Sequence, residues 1–320
     1  MKKLKVGVIG TGYLGKFHAE KYADMEDAEL VGVVDTNQQQ AVEIAKKHGV
    51  GAYFTPEEIL GKVEAVSIVV PTPLHYQVSK MFLEHDVDVL IEKPITTSLK
   101  EADRLIDLAE SRGLIIQVGH LERFNPAVMA LEDVLNTPMF IESHRLSIFQ
   151  PRGTDVDVVL DLMIHDIDII LNLVKSEITN IQAAGIPVIT EYGDIANARL
   201  EFDGGCVANV TASRISLKNE RKLRIFQKDA YISVDFANRE ITVIRRNKDA
   251  VDTIIPGTDI NSRCFTKSDA LKAELISFVH AAKNRIAPEV TGKMGRDALQ
   301  VALKILEQTQ RSHRKFIGSQ

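Results

Sequence analysis

Lys93, Asp161 and His165 are the side chains of this sequence whose types suit acid–base work on a hydroxyl group. A lysine can donate a hydrogen bond or a proton to an alcohol oxygen, and a histidine can take the hydroxyl proton near neutral pH when a carboxylate sets its tautomer. Asp161 and His165 stand four residues apart in a segment with helical spacing, so they share a helix face. Asp166 and Asp168 extend the cluster. One histidine among several aspartates, with no second histidine at a ligand spacing, argues against a metal site.

A second set of residues suits binding. Gly10-Thr11-Gly12-Tyr13-Leu14-Gly15 lies between an apolar run at 4–10 and a helical pattern at 13–23. There, Gly10 permits a tight turn, Gly12 lets a pyrophosphate approach the backbone, Gly15 allows close helix–strand packing, and the helix N-terminus attracts the anion. Asp35 follows Gly15 by twenty residues, at the end of the next strand pattern, where a carboxylate accepts hydrogen bonds from ribose hydroxyls. Thr36, Asn37 and three glutamines come next, with no Arg or Lys for a 2′-phosphate, which favours NAD over NADP. Glu92-Lys93-Pro94 ends a further strand pattern, at the carboxyl edge where open α/β sheets bind ligands. An X-Pro bond there is one that a cis peptide could use to fix a turn.

These groups need a scaffold, and the pattern supplies one. Short Val/Ile-rich strands at 4–10, 29–34, 63–70, 87–91 and 114–118 alternate with helical stretches at 13–23, 38–48, 74–84 and 99–112. Parallel strands need crossovers and helices provide them, so residues 1–119 read as a doubly wound Rossmann domain. From 120 to 320 the grammar changes: a helix at 126–135, a strand at 140–149, a helix at 158–174, then consecutive strands from 178 to 255 with period-two alternation. That predicts an α+β domain with a mostly antiparallel sheet. Closing helices at 268–283 and 295–310 could cover one sheet face or return to the first domain.

The 320-residue length suits two domains, and a net charge of -5 gives no bias toward nucleic acid. The basic cluster at 218–224 reads as a solvated strand and turn. Two cysteines, Cys206 and Cys264, build neither a disulfide framework nor a zinc site and point to a reducing cytoplasm. The basic start leads into a short, Gly-interrupted apolar run rather than a signal sequence, and no stretch is long and apolar enough for a membrane span.

Gly10-x-Gly12-x-x-Gly15-x-x-His18, Pro71-Thr-Pro-Leu-His75, Glu92-Lys93-Pro94 and Asp161-x-x-x-His165, in that order, resemble the Gfo/Idh/MocA oxidoreductases over nearly the whole chain. The resemblance implies a Rossmann domain followed by an open-faced sheet often used for oligomerisation, in a dimer or tetramer. It implies catalytic roles for Lys93, Asp161 and His165, and a dinucleotide held by Gly10, Thr11, Gly12, Tyr13, Leu14, Gly15, Asp35, Pro71, Thr72, His75, Glu92 and Lys93. Which of Lys93 and His165 is the base stays open. The Gly-rich stretch that many members carry before the Asp-x-x-x-His helix is replaced here by residues 154–160, so the substrate pocket should differ from that of the sugar and inositol dehydrogenases. The segments 119–126 and 157–168 look like a subgroup that oxidises the 3-hydroxyl of UDP-N-acetylglucosamine ahead of an aminotransferase. His120, Arg123, Asn125 and Arg152, on segments expected to border the cleft, are candidate substrate contacts, the arginines because guanidinium suits a diphosphate.

Overall fold

Starting from the N-terminus, the chain forms β1 (Leu4–Ile9), α1 (Gly15–Ala23), β2 (Ala28–Val34), α2 (Gln38–His48), β3 (Gly51–Tyr53), β4 (Ala65–Ile68), α3 (His75–Glu84), β5 (Asp88–Glu92), α4 (Leu99–Arg112) and β6 (Ile116–Gly119). There follow α5 (Pro126–Met129), β7 (Pro138–Leu146), a π-helical turn (Val159–Met163), α6 (Ile164–Val174), β8 (Ile178–Ile186), β9 (Ile195–Phe202) and β10 (Val207–Ser213). β11 (Glu220–Gln227), β12 (Ala230–Asp235), β13 (Glu240–Arg246), β14 (Thr258–Cys264), α7 (Ala270–Asn284) and α8 (Gly292–Ile317) complete it. The structure, a computed structural model, describes residues 2–151, 156–247, 254–266 and 268–317. They fall into two units: residues up to Leu121 with Asp269–Leu299, and Glu122–Ser268 with residues from Gln300 on.

In the first unit all strands pair in parallel, in the order β3-β2-β1-β4-β5-β6. The order reverses between β1 and β4, which opens a crevice at their carboxyl ends where ligands bind in such sheets. The strands are near-continuous apolar runs because helices cover both faces: all of β4 is buried. Helix ends follow local chemistry. Asn37 caps α2 by accepting from the Gln40 N–H, Ser98 caps α4 through the Glu101 N–H, and Gly49 and Gly113 close those helices in the left-handed conformation. Tyr22 of α1 and Leu275, Phe278 and Val279 of α7 join Val6, Val8, Val33 and Leu90 in one core, so α7 completes this unit from far along the chain.

In the second unit the strand order is β14-β13-β12-β11-β7-β10-β9-β8. Only β7 and β10 run parallel; the other pairs are antiparallel. Alternation divides the faces. Ile141, Leu200, Val210, Leu223, Ile225, Ile232 and Val234 are fully buried, as are Val159, Met163, Ile164 and Ile167 from the helical segment that lies on β7 and β10. On the opposite face Phe140, Phe226, Tyr231, Ile244 and Ile260 stand in register across five strands.

The α/β class and the two kinds of sheet are as the residue pattern predicts. Three details differ. The helix expected over 126–135 stops at Met129, after which Leu131 N–H bonds Val128 O and Val134 N–H bonds Leu131 O, closing separate tight turns instead of an α ladder. The helix expected over 158–174 opens with a π-helical turn. β3, three residues long, is too short to show a period.

Candidate active site

The glycine loop is built around its own backbone. Gly10 has φ of 91°, and a Cβ there would fall 2.5 Å from the Val69 carbonyl oxygen. A Cβ on Gly15 would stand 1.8 Å from the Gly10 carbonyl oxygen, so the turn and the first residue of α1 both exclude a side chain. Gly12 is different: a Cβ there would meet nothing within 4 Å. Its missing side chain serves no contact of the protein itself, which leaves room for a pyrophosphate against the loop and the N-terminus of α1.

Asp35 ties that loop to the end of β2. One carboxylate oxygen accepts the Thr11 N–H at 2.7 Å and the Thr11 hydroxyl at 2.9 Å, and the other accepts the Asn37 N–H at 2.8 Å. From α2, the Gln40 side-chain amide donates to the Thr11 carbonyl. Thr11, Lys16, Asn37, Gln39, Gln40, Glu43 and Ile44 line a hollow of about 320 Å³ beside it. A carboxylate at the lip of a polar hollow, next to a glycine loop at a helix N-terminus, fits the adenosine half of a dinucleotide. Tyr13 and Leu14 are exposed on the same loop, with Tyr13 edge-on to Phe17 and Lys16 over both rings.

At the carboxyl edge, Glu92 ends β5 and Lys93 is half-buried, with a cis peptide between Lys93 and Pro94. His75, the first residue of α3, is buried with Nδ1 2.9 Å from the Pro94 carbonyl and Nε2 2.9 Å from the Val70 carbonyl. Burial pushes its pKa below the ordinary value despite those two carbonyls. Pro71 is exposed and Thr72 half-buried on the short 3-10 turn before it. Glu92 faces inward to His18 of α1, 3.1 Å away and fully buried. Burial works against a charge on Glu92, but the hydrogen bond and charge of His18, with Lys93 and His75 near, hold its pKa below the usual carboxylate value. An ionised Glu92 only accepts, so His18 Nε2 carries the hydrogen. His120, just past β6 in the same unit, is buried.

In the second unit Asp157 caps the helical segment: one oxygen accepts the Val159 N–H at 2.9 Å and the other the Gly193 N–H at 3.0 Å. Asp161 lies in the π-helical turn and His165 at the start of α6, both half-buried. A π turn adds a residue to the helix cycle and recurs at functional sites. The two residues after His165 that could compete for it are occupied: Asp166 by Arg145, at 2.8 and 2.9 Å, and Asp168 by Arg123, at 2.7 and 3.1 Å. All four are buried.

Arg123 and Asn125 therefore stand differently from the free donors that the sequence leads one to expect. The Arg123 Nε and Nη2 are used by Asp168, and only Nη1 lacks a hydrogen-bond partner among the described residues. Asn125 accepts the Ala127 N–H and donates to the Phe236 carbonyl. A buried guanidinium needs a paired charge, and Asp168 supplies it. Arg152 lies outside the described residues. Lys93 belongs to the first unit, Asp161 and His165 to the second. Sequence reading missed the Gln40 latch, the inward turn of Glu92 and the ion pairs of Asp166 and Asp168. Only the Asp-rich run after His165 hinted at the last.

The glycine loop and Asp35 define a nicotinamide-dinucleotide-binding domain. The comparisons agree: residues 4–120 match a family model described as an oxidoreductase family with an NAD-binding Rossmann fold, and residues 142–233 match the GFO/IDH/MocA C-terminal domain. UDP-N-acetylglucosamine 3-dehydrogenase of Acidithiobacillus ferrooxidans is 39% identical over 306 residues, covering 95% of this chain and 97% of that protein. Its solved structure superimposes with a TM-score of 0.93 at 38% identity, over 98% of this chain and 99% of that one. The scyllo-inositol 2-dehydrogenase (NAD(+)) of Bacillus subtilis is 28% identical over 309 residues, 90% of this chain and 89% of that protein. A levoglucosan dehydrogenase solved with NADH and L-sorbose shares the fold, with a TM-score of 0.86 at 18% identity over 98% of each chain. The chain belongs to the Gfo/Idh/MocA family of NAD-binding oxidoreductases.

Proposed function

We propose that this oxidoreductase oxidises the 3-hydroxyl of UDP-N-acetylglucosamine to the 3-keto sugar: the hydride leaves from C3 and the proton from the hydroxyl oxygen. The observation that carries this reading is the near-full-length likeness to the Acidithiobacillus ferrooxidans enzyme, 39% identical over 97% of its length. The site chemistry supports it. Bound NAD supplies the hydride acceptor at its nicotinamide ring. Lys93 and His165 handle the hydroxyl: one takes its proton and the other hydrogen-bonds the oxygen on which charge develops, with Asp161 orienting His165. Asp35, Thr11 and the loop from Gly10 to Gly15 hold the adenosine and pyrophosphate. Pro71, Thr72, His75 and Glu92 shape the nicotinamide end. His120 and Arg152 are proposed substrate contacts, while Arg123 and Asn125 act by fixing the segment that carries His165 and its neighbours.

A 3-keto sugar is a substrate for transamination, so an aminotransferase that uses glutamate is the proposed next step. We place the protein in the cytoplasm, where NAD and nucleotide sugars are available. No helix among the described residues is long and apolar enough to cross a membrane. The row of Phe140, Phe226, Tyr231, Ile244 and Ile260 on the outer sheet face, with Phe226 38% exposed and neighbouring Met139 59% exposed, is a surface for a second copy of the chain.

The test is NADH absorbance with purified protein, NAD and a panel of UDP-sugars, inositols and free sugars, with a glutamate-dependent aminotransferase added to draw off keto product. NADH formed with UDP-N-acetylglucosamine alone supports the proposal. Turnover of an inositol or a free sugar instead retains the catalytic residues and discards the nucleotide sugar. Silence across the panel with tight NAD binding indicates an NAD sensor.

A further inference from the structure

Glu274, on the inward face of α7, is fully buried, and neither of its carboxyl oxygens has a hydrogen-bond partner among the described residues. Its neighbours along that face, Leu275 and Phe278, belong to the apolar core, where a leucine would serve the packing as well. A carboxyl group kept there without a partner is costly and asks for a reason. The surroundings supply one. The backbone carbonyl of Glu274 accepts the Gln117 side-chain amide at 3.0 Å, while Gln117 Oε1 and His18 Nδ1 are likewise buried without hydrogen-bond partners among the described residues. His18 holds Glu92 through its other nitrogen. The Glu92 charge acts on Glu274, and Glu274 in turn acts on Tyr22, whose hydroxyl lies 2.8 Å from Ser67 Oγ.

Two carboxylates in one buried cluster cannot both hold a negative charge cheaply. Glu92 has His18 as a hydrogen-bond donor and Lys93 and His75 as nearby bases. Glu274 has no such partner among the described residues; the charge acting on it is that of Glu92 from β5, which His18 of α1 holds, and Glu274 acts in turn on Tyr22 of α1. Burial first, and the Glu92 charge second, drive the Glu274 pKa well above the ordinary carboxyl value, and the same burial raises that of Tyr22.

We propose that Glu274 is a positioning residue: a buried neutral acid that leaves the only carboxylate charge of this cluster to Glu92, and so fixes the Glu92-Lys93-Pro94 turn for the dinucleotide. When Glu274 loses its proton at alkaline pH, the two carboxylates repel, the His18–Glu92 bond is shared or lost, and the turn beside Lys93 loosens. The inference rests on the dinucleotide reading of the Gly10–Gly15 loop. A merely structural side chain at position 274 would make coenzyme affinity indifferent to its protonation.

The experiment follows NADH binding to the full chain by fluorescence, from about pH 6 to about pH 10, in the wild type and in Glu274→Gln, which copies the neutral acid. Wild-type affinity should weaken about tenfold more across the alkaline range than that of the variant, which matches the wild type within about twofold near neutrality. An identical alkaline weakening in both proteins overturns the proposal. Glu274→Leu is the second variant should the glutamine form not fold. Infrared spectroscopy of the wild type alone gives an independent readout: the carbonyl band of a protonated carboxylic acid should persist at neutral pH and bleach only in the alkaline range, and its absence at neutrality also overturns the proposal. Failure of the wild type to bind NADH at any pH would instead remove the dinucleotide reading.

Discussion

Arg145 meets Asp166 edge-on, its Nε 2.8 Å from one carboxylate oxygen and its Nη2 2.9 Å from the other, with both side chains buried. The free Nη1 of that fork donates to Glu122 at 2.8 Å, so a strand of the second unit grips the residue that directly follows His165. Two carboxylates hold the Arg145 pKa above its already high value against the opposing effect of burial.

Arg145→Met should destabilise the protein by about 3–5 kcal/mol, because it strands Asp166 as a buried charge. Pairing it with Asp166→Leu should recover part of that loss, since the cost lies in the unmatched carboxylate rather than the missing bond. Urea denaturation of the single and double variants measures both; equal stability of Arg145→Met and wild type would show that the pair contributes nothing.

The glycine loop separates folding from binding. Gly15→Ala should fail to fold or lose several kcal/mol, given a Cβ 1.8 Å from the Gly10 carbonyl oxygen. Gly12→Ala has open space and should keep the wild-type melting temperature while binding NADH at least about tenfold more weakly, since its methyl takes the room left for the pyrophosphate. Calorimetry of both variants with and without NADH distinguishes the two roles.

These two residues also mark how far a sequence can be read. Gly10, Gly12, Gly15 and Asp35 were legible because a strand, a tight turn and a helix fix their relation within one stretch of local chain, and the parallel, helix-covered sheet followed from the alternation of strands and helices. The connection of Glu274 to the His18–Glu92 pair was not. These residues stand far apart in sequence and belong to one polar cluster only through the packing of α7 beside α1, which no periodicity encodes. Arg123 reads from the sequence as a candidate contact for substrate hydroxyls or a diphosphate because its spacing says nothing of Asp168, which takes it inside the second unit. Buried pairing of charges is a long-range property, whereas turn and helix signals are local.

Lys93→Met and His165→Ala should each lower turnover by at least about a hundredfold, the usual range for removing a positioned acid or base. Both should retain NADH affinity within about threefold, because the loop and Asp35 supply most of the dinucleotide contacts. Single-turnover absorbance and fluorescence titration report the two quantities separately. Undiminished turnover in both variants would remove their assigned roles.

Asp194 offers a test at low pH. Burial alone would raise its pKa, but the N–H groups of Ile189, Thr190 and Val188, with the Thr190 hydroxyl, outweigh it and hold the value at about 2. A lowered folded-state pKa stabilises the fold above the unfolded value near 4 and loses that contribution as pH falls through about 2. Asp194→Asn should cost about 1–3 kcal/mol near neutral pH. The difference from wild type should narrow below about pH 4. Denaturant melts along a pH series read this directly, and a gap that stays constant into acid would assign the role to packing instead.

The outer face of the second sheet leads to the last expectation. Phe226 pairs in register with Phe140 on one side and Tyr231 on the other, with ring centroids 5.7 and 5.0 Å apart, and Tyr231 continues to Ile244 and Ile260. The next row inward is polar: Glu142, Arg224, Ser233, Thr242 and Ser262 stand in register, with Arg224 3.7 Å from Glu142. An apolar stripe beside a charged one would give the proposed contact between two copies of the chain both area to bury and a register. Phe226→Glu should therefore shift the mass measured by light scattering toward the single chain of 35.5 kDa while leaving NADH affinity unchanged, because the substitution lies in the second unit and the glycine loop in the first. A wild type that already runs at the single-chain mass would rule out this face as a contact between copies, and an assembly that survives Phe226→Glu would move the contact to another surface.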